Sequence, residues 1–213
     1  MGSCRHQAIE GINPKVKNIA QLHRASLDAT RVTVAGVKAD QWAWPTPNEG
    51  WDVRTLLNHI VAGNFWAAEL GAGRTIAEVG TRLDGDVLGA DPLGAYDASA
   101  AVAAATFEAP GALEAPCAVS YGPVPGSVYA GHRFIDVLIH GWDLAVATRQ
   151  DTRMDPSLVE ACFAVLEPQF DQLKASGAFG TDVVVPADAD PQTRLLAMLG
   201  RRESAEIAPT GGA

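Results

Sequence analysis

Residues 128–148, centred on GHRFIDVLIHGWDLAVA (131–147), predict a helix that is apolar on nearly every side. Such a helix has to be wrapped by other elements, because its apolar surface runs all the way round and not along one stripe. A chain of 213 residues with 47% hydrophobic side chains can supply that wrapping from one core without covalent staples. His132, Asp136, His140 and Asp143 interrupt the helix at spacings of four, four and three. At about 100° per residue, with Asp136 at the origin, His132 falls near −40°, Asp143 near −20° and His140 near +40°. Arg133 is the only other charge before Arg149. A solvated face is usually wide and stocked with Lys, Glu and Gln, and this stripe has none of them. Burying His and Asp without partners is costly. The stripe is therefore expected to line a polar cavity, a metal or a mutual hydrogen-bond network, with a plain wet face as the alternative.

The rest of the chain reads as mostly helical. Residues 15–38 carry apolar residues at helical spacing, with His23 on that face. WAWPTPNEG (42–50) is a loop, punctuated by two prolines and a glycine. Asp52 then caps a second helix that Gly71 and Gly73 end. Residues 74–95 predict broken helix or loop, and 96–108 a short Ala-rich helix. Pro and Gly through 110–127 leave room for at most a short extended piece. Asp155 caps a fifth helix with Pro156 at its first position, running to about 175 and bent at Pro168. VVVP (183–186) precedes a last helix at 191–201. The sum is an all-α bundle of four long helices with short additional helices, as one domain over 15–202 between tails at 1–14 and 203–213.

The second helix carries His59 on the flank shared by Leu56, Gly63 and Trp66. A lone His on an apolar face is usually a satisfied core residue; a facing Asp-x-x-x-His changes that. Residues four apart stand one turn apart on one side of a helix, so Asp136 and His140 can converge on one ion. A His from a neighbouring helix completes a two-His, one-carboxylate set with open positions. Asp143 can fix the tautomer of a ligating His or anchor a loop or helix end. Trp51 and Trp142 read as packing residues, Cys162 as core, and Cys117 as a weak candidate nucleophile. No G-x-S-x-G frame surrounds Ser120, and GAGRT (71–75) lacks the strand and Lys of a phosphate loop.

A net charge of −9 without a basic cluster beyond Arg201-Arg202 excludes nucleic acid and anionic lipid as expected partners. Three scattered cysteines, no apolar leader, no myristoylation pattern and no long apolar run fit a cytoplasmic protein with no membrane span.

TPNEGWDVRTLLNHIVAG (46–63), followed by DVLIHGWDLAVAT (136–148) and DPQTRLLAMLGR (190–201), resembles the DinB-like helical superfamily. Within it, the chain looks like the actinobacterial branch related to mycothiol-dependent maleylpyruvate isomerase and mycothiol transferases. The resemblance implies a DinB-like four-helix bundle with a divalent metal, zinc or nickel, at His59, Asp136 and His140. It implies a low-molecular-weight thiol, mycothiol, brought to that metal to act on a small electrophilic substrate. A homodimer is a candidate assembly, since relatives pair through helices. Two departures accompany it. The isomerase carries Glu where this chain has Asp136, and nothing after residue 175 is long enough for the isomerase's second domain. His132, one turn before Asp136, is the candidate proton shuttle or pocket donor, which makes His132, Asp136 and His140 the candidate catalytic group. Two other readings use the same residues: a metal-independent cyclase or lyase with these three as acid and base, and a non-catalytic small-molecule binding module.

Overall fold

The computed structural model describes residues 18–170 and 183–202. The expected tails at 1–14 and 203–213, the start of the first predicted helix and the end of the fifth lie outside them.

Helix α1 (Ile19–Ala35) starts at Asn18, whose side chain accepts from the Gln21 N–H while the Gln21 side chain accepts from the Asn18 N–H. It stops short of the expected residue 38. Beside Gly36, the Gln150 amide fills the space a side chain would need and donates to the Thr33 carbonyl. Helix α2 (Val53–Gly71) has the expected Asp52 cap. A single-turn helix, α3 (Ile76–Val79), interrupts the loop that follows. Helix α4 (Pro92–Glu108) begins four residues earlier than expected. Gly94 looks like a breaker, but it sits in the first turn, where its N–H donates to Asp91, and Pro92 needs no intrahelical partner there.

The Pro/Gly-rich segment forms a two-stranded antiparallel hairpin, β1 (Pro116–Val119) and β2 (Gly122–Pro125), with Pro116 opposite Pro125. A ribbon this short has no central strand, so its prolines interrupt no ladder on a second side. Helix α5 (Gly126–Thr148) follows directly and ends at Arg149 in the left-handed conformation, φ 57°. Helix α6 (Pro156–Leu166) tightens into a 3₁₀ turn over Glu167–Gln169, the place of the expected bend at Pro168. Residues 183–186 form no strand among the described residues. Helix α7 (Pro191–Met198) is three residues shorter than the expected 191–201, and the chain leaves it to bring Arg201 back towards α5.

Helices α1, α2, α4 and α5 make the four-helix bundle. One side of α5 enters the bundle core through Val137 and Leu144, against Leu27, Leu56, Leu57 and Ile60. Its other side, Phe134, Ile135, Leu138, Ile139 and Trp142, is roofed by Leu158, Cys162 and Leu166 of α6 and Leu195 and Leu196 of α7. Wrapping from both sides is the physical reason the helix is apolar all round.

Helices α1 and α5 meet closely. A Cβ at Gly141 would lie 2.3 Å from Thr30 Oγ1, and the Thr30 hydroxyl donates to the Val137 carbonyl. Gly141→Ala is expected to destabilise the chain by about 1–3 kcal/mol through overpacking, read as a lower urea midpoint with an unchanged slope.

Candidate metal centre

Asp52 fixes where α2 starts, and this sets His59 two turns into the helix on the side facing α5. On α5, Asp136 and His140 stand one turn apart. The result brings together one donor atom from each of His59, Asp136 and His140, all within 4.8 Å of one another. His59 Nε2 is 3.4 Å and His140 Nε2 3.7 Å from Asp136 Oδ1. Two ligands each about 2.0–2.2 Å from a tetrahedral ion would lie roughly 3.4 Å apart, so two neutral imidazoles and one carboxylate fit a divalent cation in chemistry and in spacing. Side-chain exposure falls from 40% at His59 to 26% at Asp136 and 13% at His140, so the centre opens on the α2 side.

Two of the three ligand candidates, His140 and Asp136, are held from behind. His140 Nδ1 pairs with Asp143 Oδ2 at 2.9 Å, which turns its Nε2 towards Asp136. Asp143 is fully buried and also accepts from Asn48 Nδ2 (3.0 Å) and Arg201 Nη2 (2.9 Å). Asp143 thus lies both against the His140 ring, where a tautomer would be fixed, and against the loop and chain end it anchors. Burial alone would raise the Asp143 carboxyl, but His140 and Arg201 outweigh it and hold it below the usual range. For Asp136, too, burial pushes upward. The Arg133 guanidinium, then His59 and His140, reverse that and keep the carboxyl well below the ordinary carboxylate range. Trp51 stands against both imidazoles, with ring centroids 5.0 Å from His59 and 6.2 Å from His140.

His132 is half-buried, and its Nδ1 lies 2.9 Å from the hydroxyl of Tyr121, which the hairpin turn carries. Cys117 is buried in β1 and burial raises its thiol, the opposite of what a nucleophile needs. Cys162 is core, its thiol pushed up to about 12.

Sequence reasoning missed four partners. Arg133 was legible, since it falls near +60° on the wheel that places Asp136 at the origin. Trp51 belongs to the segment before the Asp52 cap and was assigned to packing alone. Asn48 and Arg201 come from a loop and a chain end with no periodic relation to α5, so no spacing could reveal them.

An all-α bundle with a two-His, one-carboxylate set between two of its long helices defines the class. The family described as "Mycothiol maleylpyruvate isomerase N-terminal domain" matches residues 23–145, and the chain belongs to that family. Two relatives are proteins of Mycobacterium tuberculosis, from strains H37Rv and CDC 1551, both described as uncharacterized. Each is 38% identical over 188 residues, covering 84% of this chain and 95% of the relative. The crystal structure of the mycothiol-dependent maleylpyruvate isomerase is similar in fold, with a TM-score of 0.55 at 18% identity over 76% of this chain and 72% of that one. A histidine-to-alanine variant of that enzyme gives 0.56 over the same shares. The fold is thus the all-α, DinB-like one. Among the described residues no helix is long and apolar enough to cross a membrane.

Proposed function

We propose that the chain is a metal-dependent enzyme that joins a low-molecular-weight thiol, mycothiol, to a small electrophilic metabolite, as a transferase or an isomerase. The observation that carries this reading is the convergence of His59, Asp136 and His140 within 4.8 Å, on a chain whose family is described by a mycothiol-dependent isomerase. The three side chains would hold a divalent ion, with zinc or nickel suited to imidazole and carboxylate donors. The chemistry such an ion supplies is Lewis acidity: a thiol at the centre ionises nearer neutral pH, and a substrate carbonyl is polarised.

The chain's own residues do the rest. Asp143 keeps His140 in one tautomer, leaving Nε2 for ligation. Trp51 covers one side of both imidazoles with an apolar ring. Asp136 stays ionised beside Arg133, the form a metal ligand needs. His132, with Tyr121 on its Nδ1, is the proton carrier one turn away. A cytoplasmic setting, where low-molecular-weight thiols stay reduced, belongs to the same reading.

The test follows electrophile loss with zinc- or nickel-loaded protein, mycothiol and a panel of α,β-unsaturated and epoxide electrophiles. Mass analysis and thiol titration separate a transferase, which leaves a thioether adduct and consumes thiol, from an isomerase, which leaves a rearranged product and regenerates it. The expected result is metal-dependent turnover that falls about 10²–10⁴-fold in His132→Ala, the usual range for a general acid–base group. Tight metabolite binding without product under every metal and thiol condition would make the chain a binding module instead.

A further inference from the structure

Arg133 is buried, and its Nε finds no hydrogen-bond partner among the described residues. A buried ion pair contributes little net stability, and an unpaired buried N–H costs more. Its consequence is better sought in placement. Arg133 Nη1 donates to Asp136 Oδ2 at 2.9 Å, which leaves Oδ1 as the oxygen facing both imidazoles. Nη2 reaches Asn64 Oδ1 at 3.3 Å. The orientation of that amide is fixed from α4: Asn64 Nδ2 donates to Ser99 Oγ at 3.2 Å, and the Ser99 hydroxyl is already committed as donor to the Tyr96 carbonyl. Asn64 therefore has only its oxygen to offer Arg133. The guanidinium lies directly on the backbone of α2 at Gly63, where a Cβ would come within 2.5 Å of Nη1 and 2.7 Å of Cζ and Nη2. Gly63 is one turn after His59, so the element that supplies one metal donor also supplies the seat for the arginine that orients another.

We propose that Arg133, seated on Gly63 and locked by Asn64, is the positioning residue that presents Asp136 to the metal centre through a single oxygen. The inference rests on the metal reading of His59, Asp136 and His140. Arg133 touches neither thiol nor electrophile in this account; it acts through Asp136. Its fork spans Asp136 and Asn64 at once, which a single ammonium cannot reproduce.

Two variants that conserve the charge separate placement from simple attraction or repulsion. Gly63→Ala keeps the arginine and displaces its guanidinium, and Arg133→Lys keeps the cation and loses the fork. Full-length metal-free protein is titrated with Co²⁺ alone, following the visible absorption band, with circular dichroism and thermal melting in parallel. The expected result is a folded chain whose Co²⁺ dissociation constant rises about 10–100-fold in both variants, the range for removing a group that orients a ligand. The band should also change shape as the carboxylate reorients. Variants that melt earlier but bind Co²⁺ as tightly as the parent, with the same band, would overturn the proposal while leaving the metal reading intact. A parent protein that binds no Co²⁺ overturns both.

Discussion

Acidification from pH 7 to about pH 4.5 is expected to destabilise the chain by roughly 2–3 kcal/mol through one residue, His23, before carboxylates titrate in bulk. His23 lies on α1, fully buried, with its ring edge-on to Phe107 at 5.1 Å and neither ring nitrogen hydrogen-bonded among the described residues. Burial first, then Arg133 and Arg24, pushes its pKa down from 6.5 to about 3, against a smaller opposing effect of Glu108. The folded state therefore keeps this imidazole neutral where the unfolded chain protonates it. Because the folded pKa is the lower one, stability is full above pH 6.5 and is lost as pH falls. The loss is about 1.4 kcal/mol per pH unit and levels off near pH 3 at roughly 5 kcal/mol. Urea unfolding at pH 7, 6, 5 and 4.5 reads the slope. His23→Leu isolates it, since leucine removes two unsatisfied polar atoms and the titration together. The variant should be as stable as the parent or more so at pH 7, and flatter below it. An identical slope in parent and variant would show that His23 carries none of the acid sensitivity.

Replacing His59 by alanine is expected to abolish stoichiometric zinc or nickel binding while leaving the fold nearly untouched. The side chain is 40% exposed and packs mainly on Trp51 and His140, so truncation leaves little cavity. Its loss leaves one imidazole and one carboxylate, both from α5, and nothing that ties the ion to α2. Affinity should drop by at least about 100-fold, at or beyond the upper end for removing a merely supporting residue. Binding to the folded state alone stabilises the parent by about 2.7 kcal/mol at a metal concentration 100 times the dissociation constant. The melting temperature of the parent should therefore rise with metal and that of His59→Ala should not. Equal metal-dependent shifts in the two proteins would place the ion elsewhere.

These two histidines mark how far the sequence could be read. The His/Asp stripe on α5 and the His on α2 were legible because helical periodicity converts spacing into direction; the structure brings His59, Asp136 and His140 together and sets His132 against Tyr121. Helix starts at Asp52 and Asp155 were legible because capping is a local hydrogen bond. The hairpin at 116–125 was not, because Pro and Gly signal only that regular structure is interrupted, and strand pairing depends on what the chain does on the far side of the turn. The support behind Asp143 was hidden for a similar reason. Asp143, Asn48 and Arg201 meet across separations of 95 and 58 residues, and only the path of the chain after α7 joins them. His23 reads in the sequence as one more member of an apolar face. That it is buried without a partner is a property of packing, which no single helix reveals.

X-ray absorption at the metal edge of zinc- or nickel-loaded full-length protein addresses the central claim, that α2 and α5 share one ion. The account predicts one equivalent of metal with two imidazole ligands and an oxygen shell about 2.0–2.2 Å away, and loss of that bound metal in His59→Ala. A parent spectrum without imidazole scattering, or one that His59→Ala leaves unchanged, would contradict it.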